Sequence, residues 1–208
     1  MFISPPKKIP FYLKIAIFIA ERTLGKTVMP ARILAWYPKA AIGAGVMESL
    51  VAHKAGRVTE RMLKLVRMQV SFSASCPFCI DLNSAGFEKD SVNAEEIEAL
   101  QGLREADTVT SLNEREKCAL QYARVLTASP LRIPAALQEK LRRLFTEREI
   151  VVLAGTIAQV NFWTRLIQGI GVKPAGFSDS CPLLRLDDYV TVDTAEASQP
   201  MTGEEDHE

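Results

Sequence analysis

Apolar side chains recur at helical spacing along most of the chain. In residues 59–74, TERMLKLVRMQVSFSA, positions 62, 63, 66 and 70 fall on one helical face. Residues 11–24 and 40–54 predict two earlier helices. Between them, Pro30 and Pro38 break the chain around a helical ARILAWY stretch, and Gly56 is a natural stop. Gly43 and Gly45 predict close packing of the second helix. Three later starts carry capping-box spacing, in which an N-cap side chain and a Glu three residues on satisfy each other's free N–H groups. They are Asn93 with Glu96, Asn113 with Glu116 and Thr146 with Glu149, predicting helices near 94–103, 114–128 and 147–170. Another is expected near 134–144, entered through Pro134, and Gly171 and Pro174 close the last long one. Pro77 suits a first helical turn, so Cys76 or Ser75 is the expected N-cap of a helix running to about Phe87. No run sustains strand alternation, and the expected class is all-α.

From residue 178 the pattern changes. SDSCPLLRL still has apolar residues to pack, whereas 191–208 are acidic and polar and read as disordered. The expected organisation is a single all-helical domain over 1–177 with a C-terminal extension over 178–208. Residues 9–20, IPFYLKIAIFIA, follow Lys7 and Lys8 as the start of a leader would. Lys14 interrupts the run, Glu21 and Arg22 end it, and it is too short to cross a bilayer. It reads as an amphipathic helix packed on the body or on another subunit, and no transmembrane segment is expected.

Charge and cysteine usage narrow the setting. Lys plus Arg and Asp plus Glu both number 25, so nothing in the balance argues for nucleic acid or an acidic substrate. Four cysteines in 208 residues are too few for a secreted disulfide scaffold of this size. A reducing, cytoplasmic location is expected.

Half of those cysteines sit in SASCPFCIDLN, residues 73–83. At a helix start, unpaired N–H groups and the helix dipole favour a thiolate, the reactive form of the side chain. Two-residue spacing lets one sulfur attack and the other resolve the product as a reversible disulfide. Redox chemistry, two buried cysteines acting as small hydrophobes, and a metal site all remain open on spacing alone. Zinc would need about four ligands, and no second pair or nearby histidine is evident. His53 reads as a surface or capping residue, and His207 lies in the tail.

The CPFC-led helix resembles the active-site segment of the carboxymuconolactone decarboxylase and alkylhydroperoxidase D superfamily. FTEREIVVLAGTIAQVNFWTRLIQGIGV, residues 145–172, is similar to the last conserved helix of that family, with its Asn-Phe-Trp and following Arg. The resemblance covers roughly residues 40–175. It implies an alkylhydroperoxidase D-like helical fold assembled as a homo-oligomer, a trimer or a hexamer. It also implies a thiol-dependent peroxide reductase in antioxidant defence, with Cys79 as nucleophile and Cys76 as resolving thiol. The partners implied are a peroxide and an external thiol or protein reductant, with no cofactor or metal at the thiol site.

The chain departs from the family pattern at two places. Lys64 stands where the thiol branch has a Glu, twelve residues before the first cysteine, and Asn83 stands where it has a His. The resemblance implies that the replaced Glu and His form the relay moving protons to and from the thiols. Neither Lys nor Asn is a like-for-like replacement, and Lys64 reads alternatively as a lysine stem lying along a helix surface. A Lys64 ammonium near Cys79 would favour the thiolate, and Asn83 could orient a water. Asp81 and Glu60 are substitute acids, though Asp81, beside the pair, can equally point to solvent. Asn161, Trp163 and Arg165 read as structural: Asn161 needs a partner if buried, and Trp163 would wall a pocket or fill an interface. Because the relay is altered, a non-enzymatic oligomeric redox sensor or adaptor is the alternative. A lactone decarboxylase is a weaker one, since the histidines of that site are missing.

Overall fold

A computed structural model describes residues 1–51 and 55–178. Among them the regular elements are helical: α1 (Phe11–Leu24), α2 (Met29–Leu34), α3 (Pro38–Val51), α4 (Glu60–Ser73), α5 (Pro77–Ser84), α6 (Ala94–Gln101), α7 (Glu114–Thr127), α8 (Ala135–Leu144) and α9 (Glu147–Ile170). All three expected capping boxes form, at the starts of α6, α7 and α9. Gly102 and Gly171 end α6 and α9 in the left-handed region, at φ 79° and 72°, where a Cβ is costly and glycine is not. His53, Cys181, His207 and the tail expected over 191–208 lie outside the described residues.

α4 is the central element because it is apolar on more than one side. Val66 and Val70 pack with Cys118, Leu153 and Ile157 of α7 and α9. Leu65, Met68 and Phe72 pack with Ile80, Ile97 and Leu120 of α5, α6 and α7. Polar ties fix the periphery: the Arg61 guanidinium reaches Glu96 at 2.5 Å and Glu116 at 2.9 Å. Both acids are N3 residues of capping boxes, so one cation fastens α4 to the starts of α6 and α7.

α1 has two apolar faces. Leu13 and Ile17 are buried against Ala35, while Phe11, Tyr12, Ile15, Phe18 and Ile19 are exposed, Phe11 by 77% and Phe18 by 64%. Its C-terminal half is pinned by Glu21, whose carboxylate accepts from Arg32 at 2.6 and 2.7 Å and from the Val28 N–H at 3.1 Å. The Arg32 pairing holds the Glu21 carboxyl below the usual carboxylate range.

Three local expectations need correction. α5 ends at Ser84, short of Phe87; Gly86 turns the chain at φ 64° and a 3₁₀ turn, Phe87–Asp90, follows. α3 starts two residues earlier than expected, at Pro38. Gly43 and Gly45 do not mark close helix packing, since a Cβ at either meets no atom within 4 Å. Gly45 is instead exposed, at the border of an apolar cavity. Among the described residues α9 is the one helix long and apolar enough to cross a membrane by length and composition. Its inner face, including Leu153, Ile157, Val160 and Ile167, is buried in the bundle.

Candidate active site

The tight turn between α4 and α5 builds the cysteine site. Ser75 adopts φ 47°, a left-handed conformation uncommon for a residue with a Cβ. That reversal sets Cys76 at the N-cap of α5, with Pro77 following where a missing N–H costs nothing. The Cys76 sulfur accepts the Cys79 backbone N–H at 3.4 Å. The Cα atoms of Cys76 and Cys79 are 5.2 Å apart, and their sulfurs stand at disulfide distance. Both side chains are buried, 0% and 2% exposed, among Ile33, Phe78, Ile167 and Val172.

Beside the pair lies a cavity of about 620 Å³, of the size that takes small organic ligands. Residues of α1, α2, α3, α4, α5 and α9 line it. Its walls are mainly aliphatic, with Leu13, Ile17, Leu34, Leu82 and Val160 among them. Cys79 is a lining residue, whereas Cys76 is not.

Lys64 and Asn83 also line this cavity. The Lys64 ammonium donates to the Ala85 carbonyl at 2.6 Å and stands 3.6 Å from the Asp90 carboxylate. Burial pushes Lys64 below the usual lysine range, and Asp90 pulls the other way. Asn83 donates to the Ser71 hydroxyl at 2.9 Å. Both side chains therefore spend polar groups on holding α5 against its neighbours.

Chains of this architecture have been solved before. No family model matches the sequence. The chain is 26% identical over 144 residues to "Uncharacterized protein YdfG" of Bacillus subtilis (strain 168), covering 68% of this chain and 96% of that protein. It superposes with a TM-score of 0.68 and 17% identity on the alkylhydroperoxidase AhpD core of a peroxidase-related protein from Ralstonia eutropha JMP134. That match covers 80% of this chain and 86% of the other. The chain has the alkylhydroperoxidase D-like helical fold. The same fold superposes on the debrominase Bmp8, solved as a cysteine-to-alanine variant in complex with 2,3,4-tribromopyrrole. The TM-score there is 0.73 at 20% identity, over 91% of this chain and 97% of that one.

Within this alkylhydroperoxidase D-like fold, three side chains sit differently from the sequence reading. Asp81 does not point to solvent. It is fully buried and accepts from the N–H groups of Ala175, Gly176 and Ser178. Glu60, the other substitute acid, is exposed on the first turn of α4 and is not among the cavity residues. Glu48, which sequence reasoning passed over, does line the cavity. Trp163 walls the same space and donates from Nε1 to Glu48 at 3.0 Å. Asn161 ties α9 to α7 by donating to Thr127 Oγ1 at 3.1 Å, and Arg165 is exposed. Among the described residues no three His, Cys, Asp or Glu side chains gather to hold a metal ion.

Proposed function

We propose that the chain is a thiol-dependent reductase of organic hydroperoxides, a member of the alkylhydroperoxidase D superfamily working in a reducing, cytoplasmic setting. The observation that carries this reading is the asymmetry of the pair: Cys79 borders an apolar cavity, and Cys76 stands at disulfide distance without bordering it. A ligand in the cavity meets Cys79, and Cys76 is placed to meet what Cys79 becomes.

The Cys79 thiolate, favoured by the α5 N-terminus and by the Lys64 cation, attacks the terminal peroxide oxygen. The O–O bond breaks, the departing alkoxide takes a proton, and Cys79 becomes a sulfenic acid. The Cys76 thiol condenses with it, releasing water and forming the disulfide. An external thiol or protein reductant returns two electrons and two protons. Asn83 orients α5 and the water near it. The exposed apolar stripe of α1 supports assembly as a homo-oligomer, trimer or hexamer, through that face.

Consumption of cumene hydroperoxide in the presence of dithiothreitol tests the reading. Turnover is expected in the natural chain and not in Cys79→Ser. No turnover by folded, fully reduced protein would overturn it and favour the redox sensor. A second reading, reductive removal of halogen from an aromatic ring, draws on the likeness to the debrominase and on the apolar cavity. It also leaves the pair as a disulfide, and bromide release from a bromopyrrole in the same assay distinguishes it.

A further inference from the structure

We infer that Glu48 of α3 is the catalytic residue that hands a proton to the departing alkoxide, the task for which the chain keeps neither a Glu at position 64 nor a His at position 83. The inference rests on the peroxide-reductase reading of the Cys79 site.

The chemistry requires such a group. Sulfur attack on a hydroperoxide expels an alkoxide, a strong base, and an acid positioned in the cavity lowers the barrier by protonating it as it forms. Five side chains bordering the cavity carry a charge or a titratable proton: Lys26, Glu48, Lys64, Arg67 and Cys79. Lys26 donates to the Gly176 carbonyl, and Lys64 to the Ala85 carbonyl with Asp90 beside it. Arg67 does not deprotonate in a protein. Cys79 is the nucleophile. Glu48 remains.

Its placement is built rather than incidental. Glu48 Oε2 accepts from Trp163 Nε1 at 3.0 Å and from Gln159 Nε2. Oε1 faces the Arg67 guanidinium at 3.7 Å, beyond hydrogen-bond length, and is the less engaged oxygen. Arg67 Nη2 in turn donates to Gln159 Oε1 at 3.4 Å. Residues of α4 and α9 thus orient an α3 carboxylate at the wall of the space that Cys79 borders.

The proton follows a closed path. The Cys79 thiol gives its proton, through cavity water, to the Glu48 carboxylate. The thiolate takes the terminal oxygen and the O–O bond breaks. The Glu48 carboxyl gives the proton to the alkoxide, which leaves as an alcohol, and the carboxylate is restored. No further oxidant or reductant enters this half-reaction.

Two oxidants separate this role from a structural one. Cumene hydroperoxide expels an alkoxide that needs a proton, whereas peracetic acid expels acetate, which leaves without one. Reduced full-length protein is mixed with each, and the rate of thiol loss is measured. Ionisation of the thiol is a fast equilibrium that solvent also serves, so it does not tie the peracetic acid rate to Glu48. Glu48→Gln keeps an acceptor for Trp163 and is expected to slow cumene hydroperoxide about 100-fold or more while changing peracetic acid by less than about 3-fold. Glu48→Asp, which keeps the carboxyl, is expected to recover part of the loss. Lys64→Met is expected to slow both oxidants alike, since it removes a cation from the cavity that Cys79 borders. Equal losses with both oxidants in Glu48→Gln, or no loss, would overturn the inference while leaving the peroxide-reductase reading intact. So would a split between oxidants that appears in Lys64→Met instead. A natural chain inert to cumene hydroperoxide would overturn both.

Discussion

Asp81 and Ser178 are 97 residues apart in sequence and joined twice: the Asp81 carboxylate accepts from the Ser178 backbone N–H at 2.9 Å and from its hydroxyl at 3.0 Å. The other oxygen accepts from the N–H groups of Ala175 and Gly176 at 2.9 and 2.8 Å. The residue two places after Cys79 therefore holds the segment that follows α9. Phe177, within that segment, packs edge-on against Phe78 at 6.0 Å and borders the cavity.

Asp81→Ala should accordingly destabilise the fold, because several backbone N–H groups lose a buried acceptor, at about 1–3 kcal/mol for each left unpaired. Urea unfolding of the two proteins checks the size. Limited proteolysis should then cut near residue 175 in the variant well before it cuts the natural chain there.

The contrast between the capping boxes and Asp81 shows what the sequence makes legible. Asn93 and Glu96 meet within one turn, so their spacing alone announces the structure. The start of α5 at Cys76 and Pro77 is equally local. Asp81 finds its partners 94–97 residues away, and no local pattern could tell a clamp from a solvent-facing acid. Glu48 is tied to residues 111 and 115 positions distant. One signal was present: it is the sole acidic residue of PKAAIGAGVMESLV, an otherwise largely apolar helix. Gly43 and Gly45 misled because glycine in a helix suits close packing and open space alike, and only the fold distinguishes them.

Glu96 should contribute to the acid limb of stability, alongside Glu149 and Glu21, whose carboxyls are also held low. Burial alone would raise the Glu96 carboxyl, but Arg61, the Ser111 hydroxyl and the Asn93 N–H outweigh burial and hold it below the usual carboxylate range. A carboxyl depressed by folding contributes stability above its unfolded value of about 4.3, and that contribution is lost as pH falls through the folded value. Glu96→Gln should cost about 1.5–3 kcal/mol at neutral pH, the scale for losing hydrogen bonds to a charged group, because Arg61 keeps Glu116 as a partner. The variant's urea midpoint should also vary less steeply with pH below about pH 5 than that of the natural chain.

Filling the cavity should change substrate range without loosening the fold. Gly45→Leu places its Cβ where nothing lies within 4 Å, on a position that borders the cavity. The exchange should be neutral or stabilising, since glycine costs a helix interior about 0.8–1.0 kcal/mol relative to alanine. KM for cumene hydroperoxide should rise about 10-fold or more, while hydrogen peroxide, small enough to share the space, is little affected. Steady-state kinetics with both peroxides decide it.

The central claim is that Cys79 takes the peroxide oxygen and Cys76 resolves it. The most direct measurement uses Cys76→Ser, which removes the resolving thiol and leaves the attacking one. One equivalent of cumene hydroperoxide is added, the protein is trapped with dimedone, and peptides are mapped by mass spectrometry. The account predicts one dimedone adduct on Cys79 and a matching quantity of cumyl alcohol. A folded variant whose Cys79 stays a free thiol while the hydroperoxide persists would contradict it.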